Sequence, residues 1–328
     1  MARCDEFTLI ERYLRPLAGE GAFGLIDDAA CLEPVAGYDQ VLTSDTIACG
    51  IHYLEDDPPD TIARKALRVN LSDLASKGAE PAAYMLNLAL GPEVDDAWLE
   101  GFVAGLADDQ KLFSIAMLGG DTISLKSGSV ITVTAIGLVP CGRMVHRFTA
   151  EAGDALYLTG EIGAAAAGLA LLTDPASPFQ GLDAGARQAC IERYRVPQPR
   201  VGLASALRDH ARSAMDISDG LVGDADKMAS ASGCTATIDL ERVVLGPGLD
   251  RPDLSDQAAM LITGGDDYEI LASVAPEKEQ AFADAASAAG IGANRIGTLA
   301  PGQGPVQVMR SGHPMALGNR RAYVHRNS

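Results

Sequence analysis

Apolar positions along this chain fall into two periods that alternate. Residues 6–17 (EFTLIERYLRPL) carry the spacing of a short amphipathic helix, and a Gly-rich loop at 19–24 leads into a short strand-like segment, IDDAACLEPV. DQVLTSDTIACG at 39–50 reads as a strand and LEDDPPD as an acidic break. Asp60 then starts a long helix through TIARKALRVNLSDLASKG. YMLNLALG is a buried strand by length and apolarity, and DDAWLEGFVAGLADDQKLF returns to helical spacing. SIAMLGGD is a strand, and VITVTAIGLVP alternates β-branched residues as strands do.

The texture changes around CGRMVHRFTAEAGD, which divides the chain into domains of 1–148 and 149–328. The second half opens with a strand, a glycine turn and an Ala-rich helix in DALYLTGEIGAAAAGLALL. Helices around GARQACIERY and VGLASALRDHA flank a proline break at VPQPR. CTATIDL and LITGGDDYEILASV bring further strands, EKEQAFADAASAAG a helix, and a Gly/Pro/Arg-rich tail follows. Alternating strands and helices in both halves predict an α/β architecture for each.

Five apolar runs stop at a small residue followed by aspartate: VLTSDT (41–46), VNLSDL (69–74), MLGGDT (117–122), MDISDG (215–220) and LITGGDD (261–267). Strand or helix ends of this kind each deliver one carboxylate to a common rim, and gathered carboxylates repel unless a cation lies between them. A hard divalent ion suits them; Mg2+ is commonly held by a few carboxylates and completed by water and substrate phosphates. Each Ser-Asp or Gly-Asp pair also has a purely local reading as a turn or helix cap. The runs near 121 and 266 read as two strands that both end in Gly-Gly-Asp.

Composition narrows the function. The chain has 328 residues, 47% of them hydrophobic, enough for two domains with real cores. A net charge of −18 argues against nucleic acid or an anionic membrane as partner, since both need a basic footprint. No apolar stretch is long enough for a spanning helix, and MARCDEFTLIERYL places acids where a signal peptide carries basic and then apolar residues, so a cytoplasmic protein is expected. The six cysteines are scattered without a C-x-x-C pair and read as reduced, mostly buried small hydrophobes.

GEGAFG at 19–24 matches G-x-G-x-x-G, yet a dinucleotide fingerprint needs a strand before it and a helix after it. Here the order is reversed. Walker A and kinase-type H-R-D patterns are absent. Asp216 and Asp219 lie three apart, so both can face one ion; Ser218 or Asp219 can equally cap the helix GLVGDADKMA, whose N-terminus is also a phosphate seat. Of the adjacent Asp27 and Asp28, strand alternation sends only one toward a shared site. Arg143 and Arg147 are either surface cations or ligand contacts, and Arg64, Lys65 and Arg68 either neutralise acids or bind ligand.

Together, EFTLIERYL, DDAA, TSDT, GIHYL, KALRVNLSDLASKGAEP, MLGGDT, VPCGR, GDALYLTG, MDISDGL and TGGDDYE resemble the thiamine-monophosphate kinase family of the aminoimidazole-ribotide-synthetase-like (PurM-like) ATP-binding superfamily. The resemblance implies a two-domain fold of α/β (α+β) type. Its N-terminal mixed sheet would bind ATP and Mg2+ and join a second copy in a dimeric barrel, and its C-terminal domain would complete the active site. The implied reaction is transfer of the ATP γ-phosphate to thiamine monophosphate with several Mg2+ ions, in a homodimer. Carried over by position, the metal ligands are Asp28, Thr43, Ser44, Asp45, Asp73, Asp121, Asp216 and Asp219, with Asp45, Asp121 and Asp219 central to catalysis. ATP contacts are Gly120, Asp121, Arg147 and Ser218, and thiamine contacts are His52, Asp266 and Tyr323. The family's G-I-G-D-D reads Gly24-Leu25-Ile26-Asp27-Asp28 here, and its closing aromatic motif is reduced to Ala322-Tyr323-Val324-His325-Arg326. Another ATP-dependent ligase of the superfamily is the alternative.

The chemistry suits such residues. A phosphate monoester with a second pKa near about 6 is mostly ionised at neutral pH and needs no strong base. The obstacle is charge, which cations and positioning overcome.

Overall fold

The computed structural model describes residues 3–318 and 321–322. Contacts divide the chain into two compact units, Met1–Leu74 with Ala79–Arg143, and Ala75–Gly78 with Met144–Ser328.

In the first unit, helix α1 (Glu6–Leu9) is capped by Asp5, whose carboxylate accepts from the Thr8 amide, and continues through a π-helical turn to Leu14. Strand β1 (Tyr38–Ala48), helix α2 (Pro59–Ser76), β2 (Glu80–Leu90), α3 (Asp96–Phe113), β3 (Ala116–Ser124) and β4 (Val130–Pro140) follow. Pro59 opens α2, where a missing N–H costs nothing. The sheet runs β1-β4-β2-β3. Because β1 and β2 are both antiparallel to β4 while β3 is parallel to β2, the strands β1, β2 and β3 share one direction.

Burial alternates along β4: Ile131, Val133, Ala135 and Val139 are buried, and the intervening residues are half-exposed. The buried face meets α2 and α3. Asn70 of α2 bonds β1, a Cβ on Gly137 would touch Leu74, and Gln110 of α3 reaches the Tyr84 hydroxyl on β2. Leu67, Leu71 and Leu74 are fully buried there, worth about 1.5–3 kcal/mol apiece. Arg68 pairs bidentately with Asp109 at 2.7 Å, both buried, which joins α2 to α3. The opposite face carries Leu42 at 62% exposure, with Ser44 and Thr46 hydrogen-bonded to Thr134 and Thr132.

In the second unit the described strands are β5 (Ala155–Thr159), β6 (Ala211–Asp216), β7 (Cys234–Asp239), β8 (Ile270–Val274), β9 (Ala293–Pro301), β10 (Gln307–Arg310) and β11 (His313–Pro314), in the order β11-β10-β7-β9-β5-β8-β6. Helices α4 (Ala164–Thr173), α5 (Ala184–Arg195), α6 (Ala204–His210), α7 (Leu221–Ala231), α8 (Ala258–Thr263) and α9 (Glu279–Ala288) surround the sheet. One core joins Leu158, Ile217, Val222, Met228, Ile262 and Leu271. A second joins Tyr157, Leu207, Val274 and Phe282. These are mixed α/β units, as expected. Among the described residues no helix is long and apolar enough to cross a membrane.

Two expected elements differ. IDDAACLEPV forms no strand: the Asp28 amide bonds its neighbour's carboxylate at 2.8 Å, and the Cys31 amide returns to the Gly21 carbonyl, so local turns take the donors a ladder would need. The run before the second Gly-Gly-Asp is the helix α8, not a strand. A six-residue apolar run does not fix its own period, and the strand comes after the motif, at Ile270–Val274.

Candidate active site

Asp45 and Asp121 lie near the C-terminal ends of strands that run the same way, on adjacent rows of the first sheet. The register aligns Asp45, Val133, Leu86 and Gly120 in one row, and Thr46, Thr132, Asn87 and Asp121 in the next. The Asp45 amide donates to Asn70 Oδ1 at 3.0 Å, and Asn70 is held in turn by its own bond to the Ala66 carbonyl. Thr43 Oγ1 donates to Asp73 Oδ2, one helical turn beyond Asn70. Thr43, Asp45, Asn70 and Asp73 therefore form one oxygen-rich group. Ser44, between two of them in sequence, turns the other way: its hydroxyl meets Thr134 Oγ1 at 2.9 Å on the opposite face.

A β-bulge places Leu118 as an extra residue between Met117 and Gly119. Bulges re-aim the side chains that follow them. Gly119 and Gly120 have φ of +154° and +153°, so simple alternation fails there. Asp121 lines a cleft of about 180 Å³ together with Asp27, Asp28, Gly119 and Gly120. Both Asp27 and Asp28 border it because their segment is a turn and not a strand. The neighbouring glycine loop holds Phe23 and Leu25 at φ of +51° and +58°, costly for such side chains, and leaves Ile26 at 77% exposure.

In the second unit, β6 ends at the buried Asp216, and the turn through Ser218, Asp219 and Gly220 enters α7. TGGDDYE runs backbone-to-backbone against it: the Asp266 amide donates to the Ser218 carbonyl at 3.0 Å and the Tyr268 amide to Ile217 at 2.8 Å. Gly265 is required, since a Cβ there would lie 2.4 Å from the Ser218 oxygen. Asp266 has φ of +72°, a conformation that aspartate tolerates. Asp267 is fully buried and accepts from the Gly163 amide at the start of α4; burial pushes its pKa well above the carboxylate range. Buried Glu269 is gripped by Arg193, Arg200 and Thr159, which anchors the end of the segment.

Asp219 donates its amide to Asp224 Oδ2 at 2.9 Å, and Lys227 bridges the two carboxylates, touching Asp219 and lying 2.8 Å from Asp224. Burial raises the pKa of Asp224; for Lys227 burial acts downward, but the two carboxylates outweigh it and the pKa rises.

The thiamine-side residues are spread. His52 closes the end of β1, its Nδ1 accepting from the Ala48 amide at 3.1 Å and its carbonyl from Lys65 at 2.7 Å. Asp266 belongs to the second unit, and Tyr323 lies outside the described residues. Arg147 is exposed, and its carbonyl accepts from Ser232. Arg64 and Arg68 of α2 pair with Asp108 and Asp109 of α3 and neutralise them. Among the described residues no three His, Cys, Asp or Glu side chains form a ready metal cage. The donors nevertheless suit Mg2+. They are hard oxygens in small groups, as Mg2+ accepts when phosphates and water complete its shell, and at Asp219 and Asp224 an ammonium already occupies the place of a cation. Sequence reasoning missed Asn70, Asp224 and Lys227; the signal was their spacing of three from Asp73 and from one another on helix faces.

The chain matches "AIR synthase related protein, N-terminal domain" over residues 26–139 and "AIR synthase related protein, C-terminal domain" over 151–309. Fold and sequence together thus define an AIR synthase related protein. A thiamine-monophosphate kinase of Caulobacter vibrioides is 44% identical over 306 residues, covering 91% of this chain and 85% of that one. A thiamine-monophosphate kinase structure from Stenotrophomonas maltophilia superposes with a TM-score of 0.82 at 34% identity, over 96% and 99% of the two chains. AaThiL complexed with AMPPCP and TMP superposes with a TM-score of 0.72 at 26% identity, over 93% and 97%. The chain belongs to the thiamine-monophosphate kinase family.

Proposed function

We propose that this protein transfers the γ-phosphate of ATP directly to the phosphate of thiamine monophosphate, giving thiamine diphosphate and ADP. The observation that carries the reading is likeness over nine-tenths of the chain to the Caulobacter kinase, joined to a relative complexed with AMPPCP and TMP, which we read as an ATP analogue and thiamine monophosphate.

Bound Mg2+ supplies positive charge to the phosphate oxygens. In the first unit Asp28, Thr43, Asp45, Asp73 and Asp121 would hold Mg2+, with Ser44 set apart because its hydroxyl meets Thr134 on the opposite face, and in the second unit Asp216 and Asp219 would do so. Gly120 lets the backbone approach the nucleotide, while Ser218 at the entry to α7, with Arg147, takes nucleotide phosphate. The acceptor phosphate attacks in its ionised form, so no residue is assigned as base. For the thiamine moiety His52 is the candidate in the first unit and Asp266 in the second, and Tyr323, outside the described residues, is the aromatic candidate.

The half-exposed face of the first sheet, bearing Leu42 at 62% and with Ile123 at 54% on the edge strand, is the surface through which a homodimer forms. Light scattering then gives twice the chain mass. The acidic surface and the reaction fit a cytoplasmic enzyme. ADP release measured across candidate acceptors, with and without Mg2+, tests the function: release needs both Mg2+ and thiamine monophosphate, and acceptor-independent release would defeat the reading.

A further inference from the structure

Lys227 is not among the residues that the resemblance points to, yet its ammonium lies between the carboxylates of Asp219 and Asp224. The two partners differ. Asp224 is fully buried, sits three residues before Lys227 on α7, and fixes the turn by accepting the Asp219 amide; the Asp219 side chain is 35% exposed and belongs to the turn itself. Lys227, 41% exposed, is therefore tethered at one end and exchangeable at the other.

We propose that Lys227 is a built-in counter-ion for Asp219: it holds that carboxylate in position when no divalent cation is bound and gives it up to the cation that arrives with the nucleotide, keeping its bond to Asp224. Two carboxylates this close repel, and the tethered ammonium removes that repulsion without closing the site. It also competes with a free divalent ion, so Mg2+ alone binds weakly and the ion enters as its nucleotide complex. The inference rests on the reading of Asp219 as a metal ligand. Lys227 is a positioning residue, since its bonds reach the carboxylates and not the substrate.

Titration calorimetry of the full chain with Mg2+ alone, without nucleotide, tests it. Lys227→Met is expected to bind Mg2+ more tightly than wild type by about threefold, the size of a half-exposed ion pair. Lys227→Arg stays near wild type, and adding Asp219→Asn to Lys227→Met abolishes the gain. Lys227→Gln, which keeps a hydrogen-bonding end, repeats the measurement against any folding defect in Lys227→Met. Equal Mg2+ affinity in wild type and both neutral variants, or no binding in any of them, overturns the proposal. If Asp219→Asn nonetheless loses ADP release, the reading of Asp219 stands and only the role of Lys227 falls.

Discussion

Gly120 passes so close to Leu86 that a Cβ built on it would lie 1.7 Å from the Leu86 carbonyl oxygen. The residue before Asp121 can therefore be only glycine unless β2 and β3 separate. Gly120→Ala is expected to cost about 1–3 kcal/mol, the usual range for overpacking, and to reduce turnover by displacing Asp121. Urea denaturation with a parallel activity assay checks both, and a variant with wild-type midpoint and turnover would show that the strands can yield.

Asp45→Asn keeps the backbone bond to Asn70, because that bond uses the Asp45 amide and not its carboxylate. The variant should remain folded while turnover falls by about a hundredfold or more, judged from losses at metal sites. Asp121→Asn is expected to behave alike. Circular dichroism and steady-state kinetics separate the two effects, and near-wild-type activity in both variants would return these aspartates to a purely structural role.

Asp267 predicts a pH effect on stability. Its folded pKa lies above its unfolded value of about 3.9, so its contribution is fully present below that value and is lost as pH rises through the folded pKa. Asp267→Asn, neutral at every pH and still able to accept from Gly163, escapes this loss. As pH rises above about 4 the unfolding midpoint of the variant should gain on wild type, and the gain should level off once Asp267 ionises in the folded state. A constant gap between them would place the carboxylate's ionisation outside the folding balance.

What was legible in the sequence follows from period and spacing. The alternation of Ile131, Val133 and Ala135 in VITVTAIGLVP shows a sheet with one covered face, and the burial of β4 follows it. Asp60 was expected to open the long helix, and Pro59 does so one residue earlier. Failures arose where short segments choose structure by hydrogen bonds that the hydrophobic period does not show. AAMLIT is helical because it closes on Gly264, and Asp27-Asp28 turns because its donors are used locally. Pairing was hidden for the same reason: Arg68 finds Asp109 on another helix, and Lys227 finds Asp219 only because the turn before α7 folds back. The direction of Ser44 was implicit in strand alternation, which sends it away from Thr43 and Asp45. Nothing in the sequence announces the bulge at Leu118, which exists only in the pairing of β3 with β2.

The most direct test of the central claim follows labelled phosphate from γ-labelled ATP into separated products. With Mg2+ and thiamine monophosphate, label should appear in thiamine diphosphate in step with ADP. With free thiamine, which offers a hydroxyl in place of an ionised phosphate, it should not appear in any thiamine species. Equal labelling from free thiamine, or ADP formed without labelled thiamine diphosphate, would contradict the account.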